Sequence, residues 1–162
     1  MTVRRLRLST SAMPTNGHLA ELAGMLADRG GLSPWQAYWL RLAVEEITTN
    51  IASHGYRGGP GIVDILGRVD GTHVWLRTED DGPPFDPRRH DPAPAMAADP
   101  FHRRVGGHGI HLAIGGLDGF SYDYVGGRNR NTMIMSRRAG GMANGGPDGT
   151  DHGTGRHDHR RV

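Results

Sequence analysis

An α+β domain is what the sequence predicts, and three observations carry that reading. A single apolar stripe at helical spacing runs through residues 33–54, and two segments of alternating polarity flank Asp70-Gly71. A glycine-rich turn at 106–109 then leads into a short helix followed by a second pair of strands. Elements mixed in this way bury one modest core, which suits a length of 162 residues and excludes a multidomain enzyme.

Residues 3–9 carry Val3, Leu6 and Leu8 among arginines and read as a short peripheral strand. Pro14-Thr15-Asn16 offers a helix start, after which Leu19, Leu22, Ala23 and Leu26 recur at helical spacing until Gly30-Gly31 stops the pattern. The second helix is signalled by Ser33 as N-cap, Pro34 at the first helical position and Gln36 at capping-box spacing, with its end expected near His54-Gly55. Leu40, Ala43, Val44, Ile47 and Ile51 form its inward stripe. Residues 61–69 and 72–80 are predicted strands joined by a tight Asp70-Gly71 turn.

From Gly82 to Gly107 the chain is rich in Pro, Gly, Ala and Asp without apolar periodicity, so a long mobile loop able to act as a lid is expected. Ile110, Leu112, Ala113 and Ile114 suggest a short helix. Strands at about 119–125 and 131–137, separated by Gly126-Gly127-Arg128-Asn129, close the domain, which spans residues 1–138. Residues 139–162, rich in Gly, His and Arg, hold almost nothing to bury and are expected to form a disordered tail. The spacing of His152, His157 and His159 matches no closed metal site.

The composition narrows the chemistry. The absence of cysteine removes disulfides, thiolate metal sites and cysteine nucleophiles, and nothing points away from a reducing cytoplasm. All 19 basic residues are arginine, so a phosphate-loop lysine and Schiff-base chemistry are excluded. The arginines occur in scattered pairs and form no sustained basic run, which argues against direct contact with nucleic acid. No apolar stretch is long enough to span a membrane, and no membrane association is expected.

Three places could carry chemistry. Glu46 and Asn50 lie on one helical row, roughly 80° to 120° from the centre of the apolar stripe, flanking the core without pointing into it. A carboxamide oxygen there can ligate a hard divalent cation and a carboxylate can take a proton, although ordinary polar residues on a half-exposed face give the same pattern. Trp35 and Trp39, on the same side, read as core or interface packing. In the strand over 72–80, alternation puts Asp80 on the apolar face with Val74, Leu76 and Thr78. An aspartate at the inner end of a strand, followed by Gly82, suits an acceptor for a ligand amino group, with a turn-forming Asp-Asp-Gly as the plainer alternative. Gly106-Gly107-His108-Gly109 at a helix start favours phosphate, although a chain with 26 glycines produces such patterns by chance.

In this order the features resemble the histidine-kinase-like (GHKL) ATPase superfamily of gyrase, heat-shock chaperone and histidine kinase, and within it the small bacterial anti-sigma-factor serine/threonine kinases. The matching stretches are LRLAVEEITTNIASHGY (40–56), TEDDGPPFDP (78–87), VGGHGIHLA (105–113) and LDGFSYDYVGGRNRNTMIMSRR (117–138). The resemblance implies a two-layer α/β sandwich of the Bergerat type, with a mixed, mostly antiparallel sheet covered by helices on one face. It implies ATP and Mg2+ as cofactors. Asn50 would then be the Mg2+ ligand and Glu46 the general base, while Asp80 would accept from the adenine amino group beside Gly82. Gly107 and Gly109 would expose backbone N–H groups to the triphosphate, and Thr132 would line the adenine pocket. Val105 stands where the family often has a cation, which leaves Arg104 or its neighbour Arg103 as the candidate for the γ-phosphate.

The function implied is a cytoplasmic partner-switching kinase. It would form a homodimer, sequester a sigma factor and phosphorylate a serine or threonine of an anti-anti-sigma antagonist. The alternative is a non-catalytic ATP-binding module that engages a protein partner according to nucleotide state, against which the presence of Glu46 argues.

Overall fold

The computed structural model describes residues 2–11, 17–89 and 109–137. In chain order the elements are β1 (Thr2–Ser9), α1 (His18–Gly30), α2 (Pro34–Asn50), β2 (Ile62–Val69), β3 (His73–Asp80), α3 (Gly109–Gly115), β4 (Gly119–Val125) and β5 (Arg128–Ser136). A π-helical turn, Ile51–Gly55, continues α2, and a 3-10 turn, Pro87–Arg89, follows β3.

The strands form one sheet in the order β1-β2-β3-β5-β4. Every pairing in it is antiparallel, so the mixed sheet that was expected is narrowed to a wholly antiparallel one among the described residues. The period of two sends Leu8, Val63, Ile65, Val74, Leu76, Met133 and Met135 to one face, where they meet Leu22 and Leu26 of α1, Leu40, Val44 and Ile47 of α2, and Ile110 of α3. The other face carries Asp64, Arg68, Trp75, Arg77, Glu79, Arg128 and Arg130, all half-exposed. The result is a two-layer α+β sandwich with its helices on one side.

The cap that starts α2 forms as its sequence dictates. Gln36 N donates to Ser33 Oγ at 3.3 Å and Ser33 N donates to Gln36 Oε1 at 3.1 Å, so two helix-end donors are satisfied reciprocally. Gln36 Nε2 also donates to the carbonyl of Ser136 at 2.9 Å, tying the start of α2 to the end of β5. The helix reaches Gly55 as expected, but its last turn is widened into π geometry just beyond Asn50. Helix α1 begins at His18, and Pro14-Thr15-Asn16 lies outside the described residues.

Two turns differ from expectation. The β2–β3 hairpin closes through the side chain of Asp70, whose Oδ1 accepts from Thr72 N at 3.0 Å and His73 N at 2.9 Å, while Gly71 stays out of the left-handed region. The β4–β5 hairpin is a two-residue turn with Gly126 at φ 61° and Gly127 at φ 79°, the paired positive angles that tight hairpins require. Strand β5 therefore begins at Arg128, three residues before the expected position, and Asn129 enters the sheet directly opposite Asp80.

Candidate functional site

The π turn, the end of β3 and the start of β5 meet around a cleft. Its walls are Ile47, Asn50, Ile51 and Gly55 on the helical side, Asp80, Asn129 and Asn131 on the sheet side, and Phe85, Pro87 and Ile110 at the rim. Two residues predicted from separate motifs, Asn50 and Asp80, thus face one space.

Asn50 is buried, at 5% exposure, where its place beside the apolar stripe predicted only a flank. The reason is α3, which packs over that shoulder of α2. A Cβ placed on Gly116 would fall 2.1 Å from the rigid Trp39 ring, so glycine is required there, and one on Gly109 would fall 2.5 Å from Glu46 Oε2, the movable end of a side chain that would have to swing aside. Asn50 Nδ2 donates to the Glu46 carbonyl at 2.8 Å, which turns the amide so that Oδ1 is left as an acceptor. Glu46 is half-buried, with its carboxylate lying against the backbone of Gly109. Trp39 is partly buried over Gly116, whereas Trp35 remains 68% exposed and stacks on Tyr38.

Asp80 is 2% exposed and receives two hydrogen bonds, both on Oδ1: Gly82 N at 2.9 Å and Asn129 Nδ2 at 3.0 Å. Among the described residues nothing donates to Oδ2. Burial pushes the carboxyl above the usual range, and the hydrogen bonds from Asn129 and Gly82 pull it part of the way back. A Cβ on Gly82 would lie 2.8 Å from Asp80 Oδ1, so the chain passes this carboxylate only because residue 82 has no side chain.

The start of the expected lid is fixed. Asn129 Nδ2 also reaches the carbonyls of Gly82 and Pro83 at 3.1 and 3.0 Å, and its Oδ1 accepts from Phe85 N at 3.0 Å and Tyr122 Oη at 2.8 Å. Asp86 pairs with Arg88 at 2.8 Å, and that guanidinium holds the carboxyl below its ordinary range. Residues 90–108 lie outside the described residues, and with them Gly107, His108, Arg103 and Arg104. No arginine is among the described residues that line the cleft.

A model of the histidine kinase-like ATPase domain family matches residues 13–137 of this chain. The chain belongs to that family. As a histidine kinase-like ATPase domain it is an ATP-binding protein, and the cleft has the polar atoms such a ligand needs. Among the described residues Asp80 Oδ2 and Asn50 Oδ1 are acceptors without protein donors, and Asn131 Oδ1 is fully buried without a partner. A magnesium ion would find a hard ligand in Asn50 Oδ1, which the bond from Asn50 Nδ2 to the Glu46 carbonyl leaves without a donor among the described residues in the wall of the cleft. Such an ion would complete its shell with water and phosphate oxygens. No curated protein matches the chain. No helix among the described residues is long and apolar enough to cross a membrane.

Thr132 is a correction. It stands opposite Arg77 on the outer face of the sheet, where its hydroxyl accepts from Arg77 Nε at 3.3 Å. Strand periodicity turns Asn129 and Asn131, one and three residues earlier, into the cleft instead. Sequence reasoning missed both, and the signal was present: in the run RNRNTMIM the asparagines alternate in phase with Met133 and Met135, the apolar face of the strand.

Proposed function

We propose that this domain is a magnesium-dependent serine/threonine protein kinase of the partner-switching type. One observation carries the reading: Glu46, the candidate base, and Asn50, the candidate cation ligand, stand one helical turn apart, with Glu46 against Gly109 and Asn50 in the wall that faces Asp80. A domain that only held nucleotide would need the base acceptor and the cation ligand but no carboxylate in that place.

In this reading Asp80 Oδ2 accepts from the exocyclic amine of adenine, and the backbone N–H groups of Gly107 and Gly109 receive the triphosphate. Asn50 Oδ1 would hold magnesium, which supplies charge neutralisation for the phosphates when bound. Glu46 accepts the proton of a substrate hydroxyl as its oxygen bonds to the γ-phosphorus and the bridging oxygen departs with ADP. Arg104 or Arg103 provides the cationic contact to the γ-phosphate. The protein substrate is the serine or threonine of an anti-anti-sigma antagonist, a sigma factor is the sequestered partner, and the working unit is a cytoplasmic homodimer.

Transfer of labelled phosphate from ATP to a candidate antagonist tests this, with Glu46→Gln beside the wild type. The kinase requires that the variant bind ATP with little change and lose transfer by about a hundredfold or more. Equal transfer by both proteins would exclude Glu46 as the base. Binding without transfer by the wild type, across antagonists from the same gene neighbourhood, would favour the non-catalytic module.

A further inference from the structure

Asn129 is buried at 3% exposure and uses its entire amide in the wall of the cleft. Its nitrogen faces three oxygens, Asp80 Oδ1 and the carbonyls of Gly82 and Pro83, at 3.0 to 3.1 Å. Its oxygen faces two donors, Phe85 N and Tyr122 Oη, at 3.0 and 2.8 Å. This arrangement fixes the orientation of the amide, because a flip would set its NH2 group against the Phe85 N–H and leave its oxygen facing three acceptors. One side chain on β5 therefore ties the acidic end of β3 to the segment that follows it.

The consequence for Asp80 is directional. Both donors to that carboxylate, Asn129 and Gly82, bind the same oxygen, Oδ1. The torsion of the carboxylate is thereby set, and among the described residues the second oxygen receives no donor. We infer that Asn129 is a positioning residue for base recognition: it occupies Asp80 Oδ1 so that Oδ2 is presented, correctly oriented, to the exocyclic amine of the purine. The inference rests on the nucleotide-binding reading above and adds a residue to it. Asn129 touches the carboxylate that touches the base, so its removal acts on discrimination at the 6-position of the purine and much less on the affinity shared by all purine nucleotides.

The probe pair is ATP and purine riboside triphosphate, which lacks only the 6-amino group, titrated against the full chain by calorimetry. The wild type is expected to prefer ATP by roughly tenfold or more, the scale of a hydrogen bond to a charged acceptor. Asn129→Asp keeps the shape and the acceptor for Phe85 N and Tyr122 Oη but removes the donor to Asp80. Asn129→Ala removes both halves of the amide. In either variant that retains a cooperative thermal melt, the preference should collapse towards unity while affinity for purine riboside triphosphate changes little. Tyr122→Phe, which removes one donor to Asn129 and leaves the contact to Asp80 intact, should preserve the preference. A folded Asn129 variant that loses affinity for both nucleotides equally, with the wild-type preference intact, would show a purely structural role and overturn the inference. A wild type that binds both nucleotides equally would overturn it as well, because Asp80 would then not read the amine, while nucleotide binding itself would stand. A wild type that binds neither would remove the nucleotide-binding reading and this one with it.

Discussion

Substituting Asp80 by Asn gives two opposite expected effects, and their combination is diagnostic. The change is isosteric, and an asparagine can keep its oxygen on Gly82 N and Asn129 Nδ2, so the hydrogen bonds at 2.9 and 3.0 Å survive. What changes is the free position, where an NH2 group replaces Oδ2 and faces the adenine amine donor to donor. Loss of a hydrogen bond to a charged acceptor is worth about 1.5–3 kcal/mol, which corresponds to a roughly ten- to 150-fold weaker Kd for ATP. Without nucleotide the sign reverses. Burial holds the Asp80 carboxyl above its ordinary value of 3.8, so the folded state binds that proton more readily than the unfolded chain does. The ionised carboxylate is therefore a cost to folding above that pH, and the neutral amide removes it. Calorimetric titration with ATP and a thermal melt of the nucleotide-free protein at pH 7 test both halves: the variant should bind ATP more weakly and melt no lower than the wild type. Unchanged ATP affinity would refute the placement of the amine on Asp80. A melt lowered by several degrees would refute the claim that the carboxylate sits there at a cost to stability.

Gly109→Ala should push the Glu46 carboxylate aside, since the new methyl would fall 2.5 Å from its oxygen. Because that carboxylate is the movable end of a side chain, a phosphotransfer assay should show a loss of about a hundredfold, larger than the loss of ATP affinity or of melting temperature. Gly116→Ala meets the Trp39 ring at 2.1 Å, a rigid obstacle, and should destabilise the α2–α3 packing by about 1–3 kcal/mol in denaturant unfolding followed by tryptophan fluorescence. Asp64 is held below the usual carboxylate range chiefly by its hydrogen bond from Arg7, with Arg128 adding to it. Its contribution is present above the ordinary value of 3.8 and is lost as the pH falls through the depressed one, so Asp64→Asn should flatten the acid limb of the stability curve there. The effect should be at most about 1 kcal/mol, because the Arg7 side chain is 72% exposed.

The helices and most strand positions were legible because each is written locally. The capping box from Ser33 to Gln36 and the apolar stripe through Ile47 need no distant partner to be recognised. Glu46, Asn50, Asp80 and Gly82 stand out for a different reason, since their motifs resemble those of a family that has them in the same order, and the structure brings Asn50 and Asp80 to one cleft. What sequence could not supply was which residues share a wall. Asn50 was placed on a flank because helical periodicity describes one helix, and the burial comes from α3, about sixty positions later. The role given to Thr132 came from the resemblance by position alone, and the alternation that turns Met133 and Met135 inward turns Thr132 to the outer face beside Arg77. Asn129 had no local signal as a partner of Asp80, because their pairing depends on β3 and β5 being neighbours in the sheet.

The same strand ends are held from behind. On the outer face Arg128 spans Asp64 at 2.9 Å, Glu79 at 3.2 Å and Asp81 at 2.6 Å, while Arg130 adds a second contact to Glu79 at 2.9 Å. Arg128 and Asn129 are consecutive, as are Glu79, Asp80 and Asp81, so each strand sends alternate side chains to opposite faces of the sheet at the same place. Ion pairs this exposed contribute little to overall stability. Their consequence is geometric: they fix the register of β3 against β5 at the two residues whose side chains meet in the cleft. A shift of one residue would turn Asn129 to the outer face and bring Arg128 or Arg130 opposite Asp80, filling the base site with a guanidinium. A hydrophobic inner face excludes that slip along most of the strand, but at this end the inner positions are Thr78, Asp80, Asn129 and Asn131, all polar. Specification of the register therefore passes to the charged network, and the polarity that lets the cleft receive a ligand makes that network necessary.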